Sequence, residues 1–251
     1  MSILVTRPSP NGEQLVELLK TQGLTAYHAP LINIIPGSEL PNLPTKLDQL
    51  ESTDLVFLLS KNAVWYANSR LQQAGLNWPN KLSYYGIGGS TGKMFQQITG
   101  RTIVWPEDGE TSEILLALPE LQFLEGKKVL LLRGNGGREL LASTLRSRGA
   151  YIDYCECYSR QAINYEISLF NAQWRTKNIS TIVVTSGQQL NLLTHLIADD
   201  YQDWWYSRHL LVVSHRIANI AHEMGWKNID VANSADNNAL LNALISTDMG
   251  C

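Results

Sequence analysis

The chain has 251 residues, 44% of them hydrophobic and 17% charged, with a formal net charge of −3. That is the composition of a globular protein with material for two domains of ordinary size, each burying its own core. It argues against wholesale nucleic-acid binding, which needs a basic surface, though not against a local basic pocket, and no run approaches the roughly 20 apolar residues of a membrane span. The first strand is expected over residues 3–6. A turn of Pro, Ser, Asn and Gly follows, then a helix with Leu15, Leu18 and Leu19 on one stripe, stopped by Gly23. A second strand is expected over 25–29. Residues 31–36 are extended, because Pro30 and Pro36 discourage helix around them. The near-continuous apolar run 54–59 reads as a parallel strand covered on both faces and feeds a helix from Lys61. Further strands are expected over 84–87 and 102–105, with helices through Met94 and Phe95 and over 110–118.

The second half replays this order, with strands over 129–132, 150–156, 179–184, 210–213 and 229–231. Its helices start near Gly137, Gly187, His215 and Asn237, and the segment 157–162 is extended. Strands alternating with helices imply parallel βαβ units, so the class is α/β and doubly wound. The opening MSILVTRPSP lacks a charged stretch followed by an apolar one, so no secretory signal is expected. Cys155, Cys157 and Cys251 are an odd number without zinc or thioredoxin spacing, and read as free thiols of a reducing cytoplasm. No heptad seam is evident, and a monomer is expected.

Shifted by 126 positions, the chain matches itself. Arg7 falls on Arg133, Glu13 on Glu139, Leu15 on Leu141, Leu19 on Leu145, Gly23 on Gly149, Ser60 on Ser186 and Leu118 on Leu244. The period is too long for a solenoid, whose units run to roughly 20–50 residues. One α/β module is present twice, and two similar lobes with a cleft between them are expected, a favoured setting for a small-molecule site. The segments 31–36 and 157–162 hold equivalent places and are the natural crossovers between lobes. The pattern leaves open whether each half folds on its own or exchanges its first βα unit.

Arg133-Gly134-Asn135-Gly136-Gly137-Arg138 lies between a buried strand and a helix, where amides and the helix dipole favour an anion. Its glycines permit close backbone approach, and its arginines are bidentate carboxylate or phosphate donors; the alternative is a tight turn with surface arginines. The equivalent turn after the first strand keeps Arg7. The stretch from Tyr85 to Gly92 resembles a dinucleotide fingerprint, but Thr91 stands at the third glycine position and the first strand is elsewhere. It is read as a loop, with Gly88 and Thr91, offering N–H groups and hydroxyls to an anionic ligand. Ser60, Thr185 and Ser186 end apolar strands, each either a helix cap or a ligand hydroxyl. The five histidines lack metal-ligand spacing, so no metal is expected. Tyr158 lies on a crossover, where a phenol would face the cleft; the alternative is a core tyrosine, which more often sits within a sheet.

Taken together, these motifs resemble the uroporphyrinogen-III synthase family in its gamma-proteobacterial form. The resemblance rests on Thr6-Arg7-Pro8, Leu59-Ser60-Lys61-Asn62-Ala63-Val64 and the 88–91 loop. The 132–138 loop, Glu156-Cys157-Tyr158-Ser159-Arg160 and Val184-Thr185-Ser186-Gly187 complete it, and the set spans nearly the whole chain. It implies two flavodoxin-like domains joined by a two-stranded antiparallel linker: 1–34 plus 162–251, and 37–157, with linkers at 31–36 and 157–162. Each repeat would then donate its first βα unit across. It also implies the chemistry. The linear tetrapyrrole hydroxymethylbilane, with eight carboxylates, loses its hydroxyl, inverts ring D through a spiro intermediate and closes, with no cofactor. Its natural source is transient hand-over from the enzyme that makes it. Tyr158 matches the family's cleft tyrosine; a phenol, ordinarily titrating near ~10, is a neutral proton donor at pH 7. The implied substrate-binding set is Arg7, Ser60, Lys61, Gly88, Thr91, Arg133, Gly134, Asn135, Gly136, Gly137, Arg138, Thr185, Ser186 and His215. Where relatives carry a Gly-Pro-Thr-Thr-like run, this chain has Ser214-His215-Arg216-Ile217, so His215 or Arg216 substitutes for the missing threonine, or backbone alone serves. The rival reading is a non-catalytic two-lobed binding or sensor protein for a polycarboxylate, with a nucleotide-binding oxidoreductase a distant third.

Overall fold

Short runs of Ile, Leu and Val with no polar face can be buried only if both sides of the strand are covered, and the computed structural model covers them with helices. It describes residues 1–137 and 139–248. The chain opens with β1 (Ser2–Val5), α1 (Asn11–Thr21), β2 (Thr25–His28), β3 (Ile32–Pro36), α2 (Leu43–Asp48), β4 (Leu55–Leu58) and α3 (Lys61–Gln73). It continues through β5 (Ser83–Gly86), α4 (Gly89–Thr99), α5 (Ser112–Leu115), β6 (Lys128–Gly134), α6 (Leu140–Ser147) and β7 (Tyr151–Ala162). The remainder is α7 (Ile167–Thr176), β8 (Thr181–Val184), α8 (Gly187–Leu196), α9 (Gln202–Tyr206), β9 (His209–Val212), α10 (His215–Glu223), β10 (Asn228–Val231) and α11 (Asn237–Asp248). Among the described residues no helix is long and apolar enough to cross a membrane.

Two compact units result, one of residues up to 34 together with those from 161 onward, the other of residues 35–160. The first holds a parallel sheet in the order β10-β9-β8-β1-β2. Taken along the unit, that is the flavodoxin-like order 2-1-3-4-5. The second holds β3-β7-β6-β4-β5, parallel from β7 to β5. Beside it, β3 runs antiparallel to β7: Gly37 N–H donates to the Cys157 carbonyl at 3.0 Å and Ile163 N–H to the Leu31 carbonyl at 3.0 Å. The α/β, doubly wound class read from the sequence is the class observed.

The register shows how the repeats are interleaved. Ile3 of β1 pairs with Thr181 of β8, and Val129 of β6 pairs with Leu55 of β4. Adding 126 to Ile3 gives Val129, and subtracting 126 from Thr181 gives Leu55. Each repeat's first βα unit therefore completes the sheet of the other repeat's later strands.

Two expected elements are cut short, both in the first half. The strand expected over 102–105 is a single bridge between Tyr85 and Val104. At the matching place in the second half, Ala232 N–H donates to the Val212 carbonyl at 2.8 Å; the first half has Pro106 there, which has no N–H to give. The helix expected over 110–118 is four residues long, because Pro119 disfavours helix in Leu118 before it. Near Gly137 the helix starts three residues late, at Leu140, leaving a longer loop. Three helices had no sequence reading: α2, α9, and α7, whose start is held by Glu166 accepting from Ser168 N–H at 3.0 Å and Leu169 N–H at 2.7 Å.

The cores lie on both faces of each sheet. Leu4 of β1 packs with Phe170, Trp174, Ile182 and Trp205, whereas Ile3 and Val5 pack with Leu15, Leu19 and Leu240. One polar group is sealed into the first cluster. Asn171 is fully buried; its Oδ1 accepts from Trp205 Nε1 at 2.7 Å, and its Nδ2 donates to the carbonyls of Ile167 at 2.7 Å and Leu196 at 2.8 Å. Both donors and one acceptor position of that side chain are thereby used, which offsets the cost of burying it.

Candidate functional site

At the C-terminal end of β6 the ladder to β7 slips: Arg133 pairs with Glu156, but Gly134 pairs with Tyr158. A bulge of this kind re-aims side chains, and here it sets the Tyr158 ring against Gly134. A Cβ at Gly134 would lie 2.5 Å from the ring's Cζ, so only glycine admits the phenol. Sequence reasoning assigned that glycine to ligand approach; here it also makes room for the Tyr158 ring.

Tyr158 is 1% exposed, and its ring stacks on Tyr66 with centroids 6.1 Å apart. Its phenolic oxygen accepts two hydrogen bonds, from Ser60 Oγ at 3.1 Å and from Arg160 Nη2 at 2.7 Å. Ser60 also caps α3, accepting from Ala63 N–H at 3.1 Å. The Arg160 guanidinium lies over the ring, 5.1 Å from its centroid. Asn135 holds this stretch of β7: its Oδ1 accepts from Arg160 N–H at 2.7 Å, and its backbone N–H donates to the Tyr158 carbonyl at 3.0 Å. Arg133, Gly134, Gly136, Gly137, Tyr158 and Arg160 share one cavity of about 220 Å³ with Leu59 and Ile87.

Arg133, 8% exposed, is not a free anion receptor. Its Nη1 donates to Glu139 at 2.9 Å, and its guanidinium lies over the Tyr154 ring, 5.3 Å from the centroid. Tyr154 Oη in turn donates to Glu139 at 2.7 Å. The hydrogen bond from Tyr154 first, then that from Arg133, holds the Glu139 carboxyl below its ordinary range, while burial first and Glu139 second push the Tyr154 phenol up.

The repeat mate, Arg7, is in a different state. It is 9% exposed, its Nη1 donates to Asn237 Oδ1, and its Nε is buried without a partner among the described residues. Burial pushes this guanidinium down from its ordinary value, partly countered by Asp236. A buried cation whose Nε still lacks an acceptor is the better placed of the two arginines to receive a carboxylate.

The remaining expected residues scatter. The amide and hydroxyl of Ser90, at the start of α4, donate to the chain's own Glu110 at 2.7 and 2.9 Å. The Glu110 side chain also fills the space a Cβ would need at Gly88, and Thr91 is buried at 2%. That loop's anion position is held by an internal carboxylate. Ser186 caps α8 by accepting from Gln189 N–H at 3.2 Å, while Thr185 N–H and Oγ1 both donate to Gln189 Oε1. Lys61 and His215 are exposed, at the first turns of α3 and α10, and Ile217 is in the core. Arg138 lies outside the described residues. Among the described residues no cluster of three or more His, Cys, Asp or Glu is arranged to hold a metal ion. Sequence reasoning missed Arg160, Glu139 and Glu110. The first had a signal, since residues two apart on an extended segment share a face.

The fold and these turns define a class: a duplicated α/β protein of two flavodoxin-like units, with guanidinium and hydroxyl groups at the C-terminal ends of its strands. Within that class, the chain belongs to the uroporphyrinogen-III synthase HemD family, whose model matches residues 13–242. It is 49% identical to the uroporphyrinogen-III synthase of Escherichia coli K12 over 245 residues, 97% of this chain and 100% of the relative. It is 54% identical to that of Proteus mirabilis over 198 residues, 79% of this chain and 98% of the relative. Among solved structures, a mutant uroporphyrinogen III synthase of Thermus thermophilus superposes with a TM-score of 0.66 at 15% identity, covering 99% of this chain and 100% of that one. The Helicobacter pylori enzyme superposes at 0.60 and 17%, covering 98% and 99%. At such identities the likeness is one of fold.

Proposed function

We propose that this chain carries out the reaction for which its family is named, as an enzyme of porphyrin biosynthesis and, more finely, a cyclising lyase that removes water from hydroxymethylbilane. The observation that carries the reading is the end-to-end match at 49% identity to the Escherichia coli relative. The substrate can close unaided to the uninverted isomer, so the protein's main task is to hold a flexible polyanion in the conformation that inverts ring D. That is a problem of orientation, where positioning alone is worth several kcal/mol, up to ~11.

In this reading Tyr158 donates its phenolic proton to the departing hydroxyl. The cavity beside it is supported as the reacting position by its rim of Arg133, Arg160, Gly134, Gly136 and Gly137. Arg7 is the receptor for a substrate carboxylate. Lys61, Thr185, Ser186, His215 and Arg138 are further contacts at strand-end turns. Gly88 and Thr91 join them only if Glu110 leaves the start of α4, and Asn135 contributes by holding β7. The chain is taken to act in the cytoplasm as a monomer, receiving its substrate from the enzyme that forms it.

The test is to supply hydroxymethylbilane to the purified protein and resolve the product isomers. Uroporphyrinogen III in excess over the uninverted isomer is expected; the uninverted isomer alone would overturn the reading.

A further inference from the structure

A phenolic oxygen can accept two hydrogen bonds and donate one. Around Tyr158 both acceptances are used. Arg160 Nη2, 2.7 Å away, is a guanidinium donor and cannot accept. Ser60 Oγ, 3.1 Å away, donates to the phenol and accepts from Ala63 N–H at 3.1 Å. With both acceptances used, Tyr158 is left to donate, and it lines one cavity with Arg133 and Gly134. Arg160 is itself held from the backbone, by the pairing of its N–H with Asn135 Oδ1 at 2.7 Å.

We propose that Arg160 is a positioning residue for the ring-inverting reaction: it fixes the phenol of Tyr158 as a one-way proton donor and lies where negative charge develops as that proton leaves. The proposal rests on the reading that Tyr158 donates. In the step concerned, the O–H bond of Tyr158 breaks and its proton joins the substrate's hydroxyl oxygen. The carbon–oxygen bond then breaks with its electron pair going to the leaving water, and the adjoining pyrrole stabilises the carbocation. The new cation bonds to the substituted α-carbon of ring D, giving the spiro intermediate. That carbon's older bond to its neighbouring methylene breaks and the methylene rejoins at the other α-carbon, whose released proton restores aromaticity and reprotonates the phenolate held by Arg160 and Ser60. A fixed cation aimed at developing charge acts in the transition state more than in the bound substrate, so Arg160 is expected to govern kcat rather than KM.

The experiment is a double-mutant cycle on the full chain. Tyr158→Phe, Arg160→Met, Arg160→Lys and the Tyr158→Phe/Arg160→Met pair are compared for kcat, KM and product isomer ratio, with far-UV circular dichroism and urea melts to verify folding. Tyr158→Phe is expected to lower kcat roughly 100-fold or more. Arg160→Met should lower kcat about 10- to 100-fold, the worth of one charge-assisted hydrogen bond, with KM moving less than about threefold. Arg160→Lys, which keeps the charge and is the safer variant for folding, should recover part of the loss. In the Tyr158→Phe background Arg160→Met should cost almost nothing more. A raised KM with kcat intact would make Arg160 a carboxylate contact and overturn the proposal, as would losses that multiply in the pair. If Tyr158→Phe alone retains wild-type kcat, the proton-donor reading fails first. If Tyr158→Phe is impaired and Arg160→Met is not, only the positioning role fails.

Discussion

Gly134→Ala isolates one contact. The new Cβ would lie 2.5, 2.6 and 3.0 Å from Cζ, Cε2 and Cε1 of Tyr158, where ordinary contact begins at 3.4 Å. The ring must therefore retreat by about 1 Å, yet it is 1% exposed, backed by Tyr66 and tethered at its oxygen by Ser60 and Arg160. The strands cannot simply part, because Gly134 and Tyr158 face each other in the β6–β7 ladder. Overpacking of this kind costs about 1–3 kcal/mol. A displacement near 1 Å at a reacting group lowers turnover by roughly 100-fold. Gly126→Ala is the control: it sits in the turn before β6 with φ +74 and nothing within 4 Å of a Cβ. It should lose about 1 kcal/mol through left-handed backbone strain while keeping wild-type kcat. Urea denaturation and kcat for hydroxymethylbilane are measured on both. If Gly134→Ala matches the wild type in stability and turnover, the ring does not depend on this glycine and the account of the bulge is wrong.

Two further perturbations test other parts of the structure. Asn171→Ala strands Trp205 Nε1 and the Leu196 carbonyl without partners in a sealed core; a loss of about 2–5 kcal/mol is expected in urea melts, and under about 1 kcal/mol would refute the network. The folded-state pKa of Glu139 is depressed, so the stability it contributes is present above its unfolded value and fades as pH falls through the folded one. Tyr154→Phe removes the larger cause, so the Glu139 carboxyl midpoint, followed by carbon-13 NMR, should rise toward the ordinary range; an unmoved midpoint would show that Arg133 alone sets it.

Strand positions were legible wherever an apolar run recurred 126 residues on, as at Leu55–Leu58 and Thr181–Val184. The pattern alone did not say which strands share a sheet, because hydrophobic period reports burial and carries no partner identity; the resemblance to a family supplied that. Prolines altered the first copy: Pro106 and Pro119 stand where Ala232 and Ile245 continue the second, and a repeat read by similarity alone passes over them. In the site, Arg7 and Tyr158 stood out by recurrence and by position on a crossover. The division of labour between Arg7 and Arg133 was not visible, since both mates of each network, Glu13 with Glu139 and His28 with Tyr154, are in register. It turns on the second-copy tyrosine, which donates to its carboxylate at 2.7 Å, whereas His28 Nδ1 stands 3.9 Å from Glu13. The hold of Glu110 on the start of α4 joins residues 20 apart through a loop, and no periodicity announces such a contact.

The crossed pairing of β1 with β8 and of β6 with β4 has a consequence for biosynthesis. As the polypeptide emerges from the ribosome, the 35–160 unit has all its strands once residue 160 has appeared. By contrast, β1 and β2 must wait for β8, so the earliest-made segment is among the last to be secured. A half-length ancestor could close such a sheet within one copy or by exchange with a second; in this chain the exchange is built in, and it ties the two ends of the polypeptide into one unit.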